Sequence, residues 1–276
     1  MLTQSSSSKW RRAILYLAWG EKYTRQACDN ARSAKFMGVP LILISDKANQ
    51  NLIPDDHPFD EIRLIDEFRS YDMLSKSTIF DIAPKEYNSF LYLDTDTVIL
   101  EDIRFGFEMA EKHGIALCPA TSYCLPSHHD FRRVMRAYDM PDASQMQYNA
   151  GVHFFVDRPD VEEVYSLYQQ LAYKLTEQFD YKNAAGKLAD QPFLSFAMEL
   201  LGFNPYTLSI NYCYRGIDAE VICGDVRIWH SHHPVPEGLN DPTAAKWPRQ
   251  RYFNGMSVPI SPLYAQLNKS KAETED

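Results

Sequence analysis

The chain has 276 residues, 45% apolar and 24% charged, which excludes a disordered, fibrous or low-complexity protein and leaves ample chain for a core without covalent staples. Lys and Arg total 28 against 37 Asp and Glu, a net charge of -9, and an acidic chain gains no counterion-release affinity for nucleic acid. If its ligands are anions, a local device must offset that charge.

Residues 13–19 are apolar and predict a first strand. Arg11-Arg12 ahead of them imitates the charged end of a leader, but Gly20-Glu21-Lys22 follows with no small-residue cleavage site. Residues 21–36 have helical period, 41–45 predict a second strand ending at Asp46, and 62–65 a third. Met73, Leu74, Thr78 and Ile79 form one helical face over 71–82. Strands are expected at 89–93, 97–100 and 115–118, with a helix over 103–112. The stretch 120–146, with Pro126 and Pro141, predicts an irregular loop. A strand at 152–156 precedes the helical stripe Val161, Val164, Leu167, Leu171 and Leu175; a helix at 191–201 and a strand at 226–229 follow. Such β-α alternation argues a largely parallel sheet covered by helices. One domain over 13–267 is expected, with frayed ends at 1–12 and 268–276. No run reaches the ~20 apolar residues of a membrane span. The five scattered cysteines, none in a C-x-x-C pair, predict reduced thiols in a cytoplasmic protein.

The strongest chemical signal is Phe90-Leu91-Tyr92-Leu93-Asp94-Thr95-Asp96. Alternation along a strand would place both carboxylates on one face, where hard oxygen ligands suit Mg²⁺ or Mn²⁺ with substrate phosphates. Two other readings fit the same residues. One is an acidic turn after a strand. The other is the aspartyl-phosphate pattern of haloacid-dehalogenase-like phosphatases, with Asp94 as nucleophile. That pattern usually opens the chain and has a late Gly-Asp-x-x-x-Asp, whereas Gly224-Asp225 lacks the second Asp.

Three further motifs follow in order: Tyr148-Asn149-Ala150-Gly151-Val152, Asp190-Gln191-Pro192 and Ile228-Trp229-His230-Ser231-His232. Together with the Asp pair they resemble the GT-A glycosyltransferases, specifically the retaining family 8 group of glycogenin, galactinol synthase and bacterial lipopolysaccharide galactosyl- and glucosyltransferases. The likeness runs from Ala13 to about His232. It implies an α/β, Rossmann-like GT-A fold with a mixed, mostly parallel central sheet flanked by helices. Residues 13–118 would form the nucleotide-binding half and 119–267 the acceptor half. It implies transfer of a hexose from a nucleotide-diphosphate sugar, UDP-linked, to a hydroxyl acceptor on carbohydrate, lipid or protein, with retention. Peripheral membrane contact is compatible with such acceptors.

The resemblance also assigns residues. Asp94, Asp96 and His230 would bind a metal, Mn²⁺ first because one ligand is imidazole and Mg²⁺ second, with His232 able to substitute for His230. The donor would be held by Ala18, Trp19, Gly20, Tyr23, Asp46, Lys76, Asp94, Thr95, Asn149, Ala150 and Gly151. Asp190 and Gln191 would be catalytic, Asp190 on sugar hydroxyls and Gln191 near the anomeric carbon. Ordinary structural roles compete for several of these: core packing for Trp19, an exposed helix lysine for Lys76, an N-cap for Asp190. The family's Gly and Lys-Pro-Trp after its metal-binding His are replaced here by Ser-His-His-Pro, with Lys246-Trp247-Pro248 later, so Lys246 is the candidate clasp on the diphosphate. Arg132, Arg133 and Arg136 are either an anion site or a solvated helix face. A non-catalytic sugar-nucleotide-binding protein would keep the same motifs.

Overall fold

The computed structural model describes residues 10–141, 145–179, 189–215, 225–237 and 239–240, together with two short strands at 251–253 and 256–258. Its first half is built from apolar runs buried on both faces, the pattern of a parallel sheet sandwiched by helices. β1 (Arg12–Leu17) and β2 (Leu41–Asp46) flank α1 (Gly20–Ala31), which continues as a 3-10 turn, Arg32–Met37. β3 (Glu61–Ile65) follows, then a 3-10 helix, Met73–Thr78, leading into α2 (Ile79–Ile82). β4 (Ser89–Leu93), β5 (Thr97–Ile99), α3 (Arg104–His113) and β6 (Ile115–Cys124) complete the first half. A 3-10 helix (Leu125–Asp130), α4 (Arg132–Arg136), β7 (Met146–Val156), α5 (Pro159–Phe179), α6 (Gln191–Leu201), β8 (Tyr206–Thr207), β9 (Ile228–His230) and the hairpin of β10 (Arg251–Phe253) with β11 (Met256–Val258) follow.

Seven strands form one sheet in the order β3-β2-β1-β4-β7-β6-β8. β1, β2, β3 and β4 are mutually parallel, whereas β7 runs antiparallel to both β4 and β6. The chain moves outward from β1 to β3 on one side and resumes at β4 on the other. The carboxyl ends of β1 and β4 therefore border a topological switch point, where α/β sheets bind ligands. β7 pairs with β4 only as far as Leu93 opposite Val152, so its first six residues, 146–151, overhang that edge.

Several sequence expectations change. Residues 120–146 are more ordered than the proline content suggests: β6 runs to Cys124 and a 3-10 helix and α4 follow. The motif Tyr148–Gly151 lies inside β7, not before a strand, because its polar side chains are buried towards the site instead of exposed. Residues 73–78 coil as a 3-10 helix, started by Asp72 accepting from the Leu74 N–H at 2.8 Å. Arg12, expected to fray, opens β1 and pairs with Glu111 at 2.7 Å. The other expected frayed positions lie outside the described residues, except 10 and 11. No described helix is long and apolar enough to cross a membrane.

α3 lies so close to the sheet that a Cβ on Gly106 would collide with the tip of the Phe154 ring, with Cε1 2.6 Å away. Both residues are buried, so neither can yield cheaply. Gly106→Ala is expected to destabilise the fold by about 1–3 kcal/mol, the usual cost of overpacking, measured as a lower urea midpoint at unchanged slope.

Candidate functional site

Asp94 follows the last residue of β4, and the chain turns at once. The Asp94 carbonyl accepts from the Thr97 N–H at 3.2 Å and from the Thr97 hydroxyl at 2.7 Å. This turn, not strand alternation, brings Asp94 and Asp96 to one side. β5 then pairs antiparallel with β9, Thr97 opposite His230, and the Ser231 N–H donates to the Asp96 carbonyl at 3.0 Å. His230 Nε2 consequently lies 3.6 Å from Asp94 Oδ2 and 3.4 Å from Asp96 Oδ1. One ligand atom from each of Asp94, Asp96 and His230 falls within 4.8 Å of the others. β7 closes the back of the cluster, where the Asp94 N–H donates to the Gly151 carbonyl at 2.8 Å. A Cβ at Gly151 would collide with the His230 ring and sit 2.7 Å from Asp94 Oδ2, so only glycine permits this approach.

Lys76 is not an exposed helix lysine: its side chain is only 11% exposed. Nζ lies 3.0 Å from Asp94 Oδ2, 3.5 Å from Asp190 Oδ2 and 3.5 Å from the Ala150 carbonyl. Burial works against its charge, but Asp190 and Asp94 outweigh it and hold the ammonium above its ordinary pKa. Asp190 immediately precedes α6 yet makes no capping hydrogen bond; it accepts instead from the Tyr168 hydroxyl at 3.0 Å. Burial raises its carboxyl, with Lys76 opposing. Gln191 begins α6 and accepts from the Ala150 N–H at 3.3 Å. Asn149, also buried, accepts from the Gly151 N–H at 2.7 Å. Asp94, Asp190 and Ala150 thus meet at one lysine, and Gln191, Asn149 and Gly151 are bonded to or beside these partners.

On the outer side, His232 Nδ1 reaches Asp96 Oδ2 at 3.1 Å, while the Thr95 hydroxyl donates to Gln26 at 2.8 Å. Burial would raise the Asp96 carboxyl, but His230, His232 and Lys76 together lower it. Burial likewise opposes a charge on His230, yet Cys213 and Asp96 push the imidazole up to about 10. A cleft of about 670 Å³ between α1 and Ser231–Pro234 adjoins this side, lined by Gln26, Asn30 and His232 among others.

At the ends of β1 and β2, Ala18 is buried and Trp19 half-buried, its ring 5.2 Å from Phe68 and 6.0 Å from Tyr23. Gly20 adopts φ 67° and its N–H donates to Asn49 Oδ1 at 2.7 Å. Asp46 is inaccessible to solvent. Its Oδ1 accepts from the Asn49 N–H at 2.8 Å and its Oδ2 from the Tyr71 hydroxyl at 2.7 Å. Lys246 lies outside the described residues. In α4, Arg133 donates to the Phe179 carbonyl at 2.9 Å and lies over its ring, so this member of the basic cluster is clasped to α5.

Sequence reasoning missed four side chains. Tyr92 donates to Asp94 Oδ1 at 2.7 Å, and its position two residues before Asp94 on one strand was the available signal. Tyr168 lies on the buried stripe of α5, where a hydroxyl must find a partner. Cys213, 3.3 Å from His230 Nδ1, and Tyr71 carry no such local mark.

No family model and no curated protein matches the sequence. Among solved structures the chain is similar to mouse xyloside xylosyltransferase 1 in its apo form, with 13% identity, 82% of this chain and 99% of that one covered, and a TM-score of 0.50. It is also similar to the galactosyltransferase LgtC in complex with donor and acceptor sugar analogs, with 12% identity, 84% and 91% covered, and a TM-score of 0.56. At these identities the likeness is one of architecture: the mixed, mostly parallel sheet flanked by helices is the GT-A fold of those glycosyltransferases.

Proposed function

We propose that the protein is a metal-dependent glycosyltransferase that moves a hexose from a nucleotide-diphosphate sugar, UDP-linked, to a hydroxyl acceptor with retention of configuration. The observation that carries this reading is the convergence of Asp94, Asp96 and His230 beside a buried, charged Lys76 at the switch point of a GT-A sheet. Two carboxylates and an imidazole within 4.8 Å of one another fit a borderline-hard divalent cation, Mn²⁺ ahead of Mg²⁺. Such an ion would supply Lewis-acid stabilisation of a diphosphate leaving group.

The chain's own residues supply the rest. Lys76, already held charged among carboxylates, gives the leaving phosphate a positive partner in a site of low dielectric. Asp190, fixed by Tyr168, accepts from hydroxyls of the donor sugar. Gln191, oriented through Ala150, faces the anomeric centre and is too weak a nucleophile for a covalent intermediate. The acceptor therefore attacks from the leaving group's own face: its oxygen bonds the anomeric carbon as the phosphate oxygen departs, and that oxygen takes the acceptor's proton. Asp94 is less suited to be a phosphatase nucleophile, because Tyr92 holds Oδ1 and Lys76 holds Oδ2.

The direct experiment is a screen of nucleotide sugars for transfer or hydrolysis with Mn²⁺, with chelator, and with Asp96→Asn. Activity should fall about 100-fold or more in the variant, exceeding the loss typical of an outer-shell partner. Full activity under chelation, or hydrolysis of phosphate esters without a nucleotide sugar, would count against the reading. Product NMR showing inversion would remove retention alone.

Capture of a metal by His230 must displace its proton. With the imidazole pushed up to about 10, Mn²⁺ affinity should rise about tenfold per pH unit near neutrality. Calorimetry in buffers of different ionisation enthalpy should register one proton released per ion; none would contradict it. Because that value exceeds the ~6.5 of an unperturbed imidazole, the imidazolium's contribution to stability without metal is complete below about pH 6.5. It disappears as pH rises towards about 10.

Lys76 and a metal share Asp94 Oδ2. Lys76→Met should therefore bind Mn²⁺ alone more tightly, by about tenfold, yet bind the Mn²⁺ complex of UDP more weakly. Electron paramagnetic resonance of free Mn²⁺ measures both; a parallel loss of both affinities would sink the idea.

A further inference from the structure

We propose that Tyr71 is the platform on which the base of the nucleotide donor stacks, and that Asp46 and Asn49 brace that ring and its surroundings without touching the ligand. The proposal rests on the nucleotide-sugar reading and adds to it the residue that holds the heterocycle.

Tyr71 combines two properties that seldom occur together. Its side chain is exposed, at 52%, as a large aromatic group open to solvent. Its hydroxyl is nevertheless tied at 2.7 Å to Asp46, which has no solvent access at all. An exposed tyrosine normally keeps its rotamer freedom, whereas this one is fixed at its far end by a buried carboxylate. The inner contacts are edge-on: Phe68 stands 5.8 Å away at 86° and Trp19 6.4 Å away at 77°. Trp19 in turn leans on Tyr23, itself 39% exposed. The result is an aromatic corner with a ring that does not need to be ordered when a flat ligand arrives.

The brace is built from groups that face each other. Asp46 Oδ1 accepts from both the backbone and the side-chain nitrogen of Asn49, at 2.8 and 2.5 Å, and Oδ2 accepts from Tyr71. Asn49 Oδ1 takes the Gly20 N–H at the start of α1. Both oxygens of Asp46 are therefore engaged within the protein, which gives it a positioning role.

Placement fits the ligand. Asp46 ends β2, Trp19 follows β1, and Asp94 follows β4 on the other side of β1. With neighbouring strands about 4.8 Å apart, the end of β2, where Asp46 holds the Tyr71 hydroxyl, stands roughly 10 Å from the end of β4. That is the span between the base and the phosphates of an extended nucleoside diphosphate. The segment after β3 carries Tyr71 in the corner and, five residues on, Lys76 beside Asp94, so one loop would hold both ends of the donor.

The test titrates UDP and inorganic pyrophosphate, each with Mn²⁺, into the full chain as wild type, Tyr71→Leu, Tyr71→Phe and Asp46→Asn. Tyr71→Leu should weaken UDP about tenfold, the usual loss for one stacked base, and leave pyrophosphate unchanged. Tyr71→Phe keeps the ring but not its tether and should recover most of the UDP affinity, while Asp46→Asn should match it. Equal UDP binding by wild type and Tyr71→Leu, or an equal loss for UDP and pyrophosphate in that variant, would overturn the proposal. Wild type that binds pyrophosphate but none of UDP, CDP, ADP and GDP would overturn it as well, together with the nucleotide-sugar reading. Wild-type UDP binding with an unaffected Tyr71→Leu removes only the role of Tyr71.

Discussion

A lysine ammonium buried in an α/β protein must be surrounded by opposite charge, and the placement of Lys76 sets that requirement at the centre of this molecule. Its partners Asp94 and Asp190 come from the end of β4 and the start of α6, segments 96 residues apart in the chain. Tyr92 and Tyr168, both buried, hold the remaining sides of those two carboxylates. Removing any one member leaves a desolvated charge without its counterpart, the case in which a buried pair is most costly to break. The cluster thus joins the parallel strands to the antiparallel half, and the geometry around the Asp pair inherits its rigidity.

The acidic composition takes on a local meaning in this setting. Asp94, Asp96 and Asp190 face one lysine, and His230 is neutral when it acts as a ligand, so three negative charges against one positive leave a deficit of two. That is the charge of one divalent cation. The overall balance of -9 covers the whole chain, but this fraction of it is largely enclosed and is screened by salt much less than exposed charge. With such an ion in place the proposed site would be neutral, and an anionic ligand would meet no net repulsion there although the chain as a whole is acidic.

Much of the first half could be read from the sequence because its strands are apolar on both faces, a pattern that survives without tertiary information. That Asp94 and Asp96 share one side was equally legible, although strand alternation was the wrong reason: the turn at Thr95 brings them together. Residues 146–151 misled because Gln147 and Asn149 look like loop residues, and only the overhang of β7 explains why a strand buries them. The 3-10 coil at 73–78 follows from Asp72 competing for backbone donors, which a hydrophobic stripe does not reveal. Tyr71, Tyr168 and Cys213 contribute through hydrogen bonds to residues 17 to 25 positions away, and Tyr92 through a bond to Asp94 two residues on. Tyr92 and Tyr168 carried a signal in their strand and helix positions, whereas nothing local distinguishes Tyr71 and Cys213 from the other tyrosines and cysteines.

The pairing of β5 with β9 involves three residues on each strand, and together with the bonds of Tyr214 to the other side of β9 it brings His230 beside carboxylates more than 130 positions earlier in the chain. A ribbon so short is weak by itself, so the histidine's occupancy of the site and the docking of the segment after residue 225 are one equilibrium. Whatever binds the assembled cluster stabilises the ribbon by mass action, by about 2.7 kcal/mol at a hundredfold excess over Kd. The segment around β9 is in this sense a ligand of the end of β4, and anything that binds the assembled cluster tightens its grip.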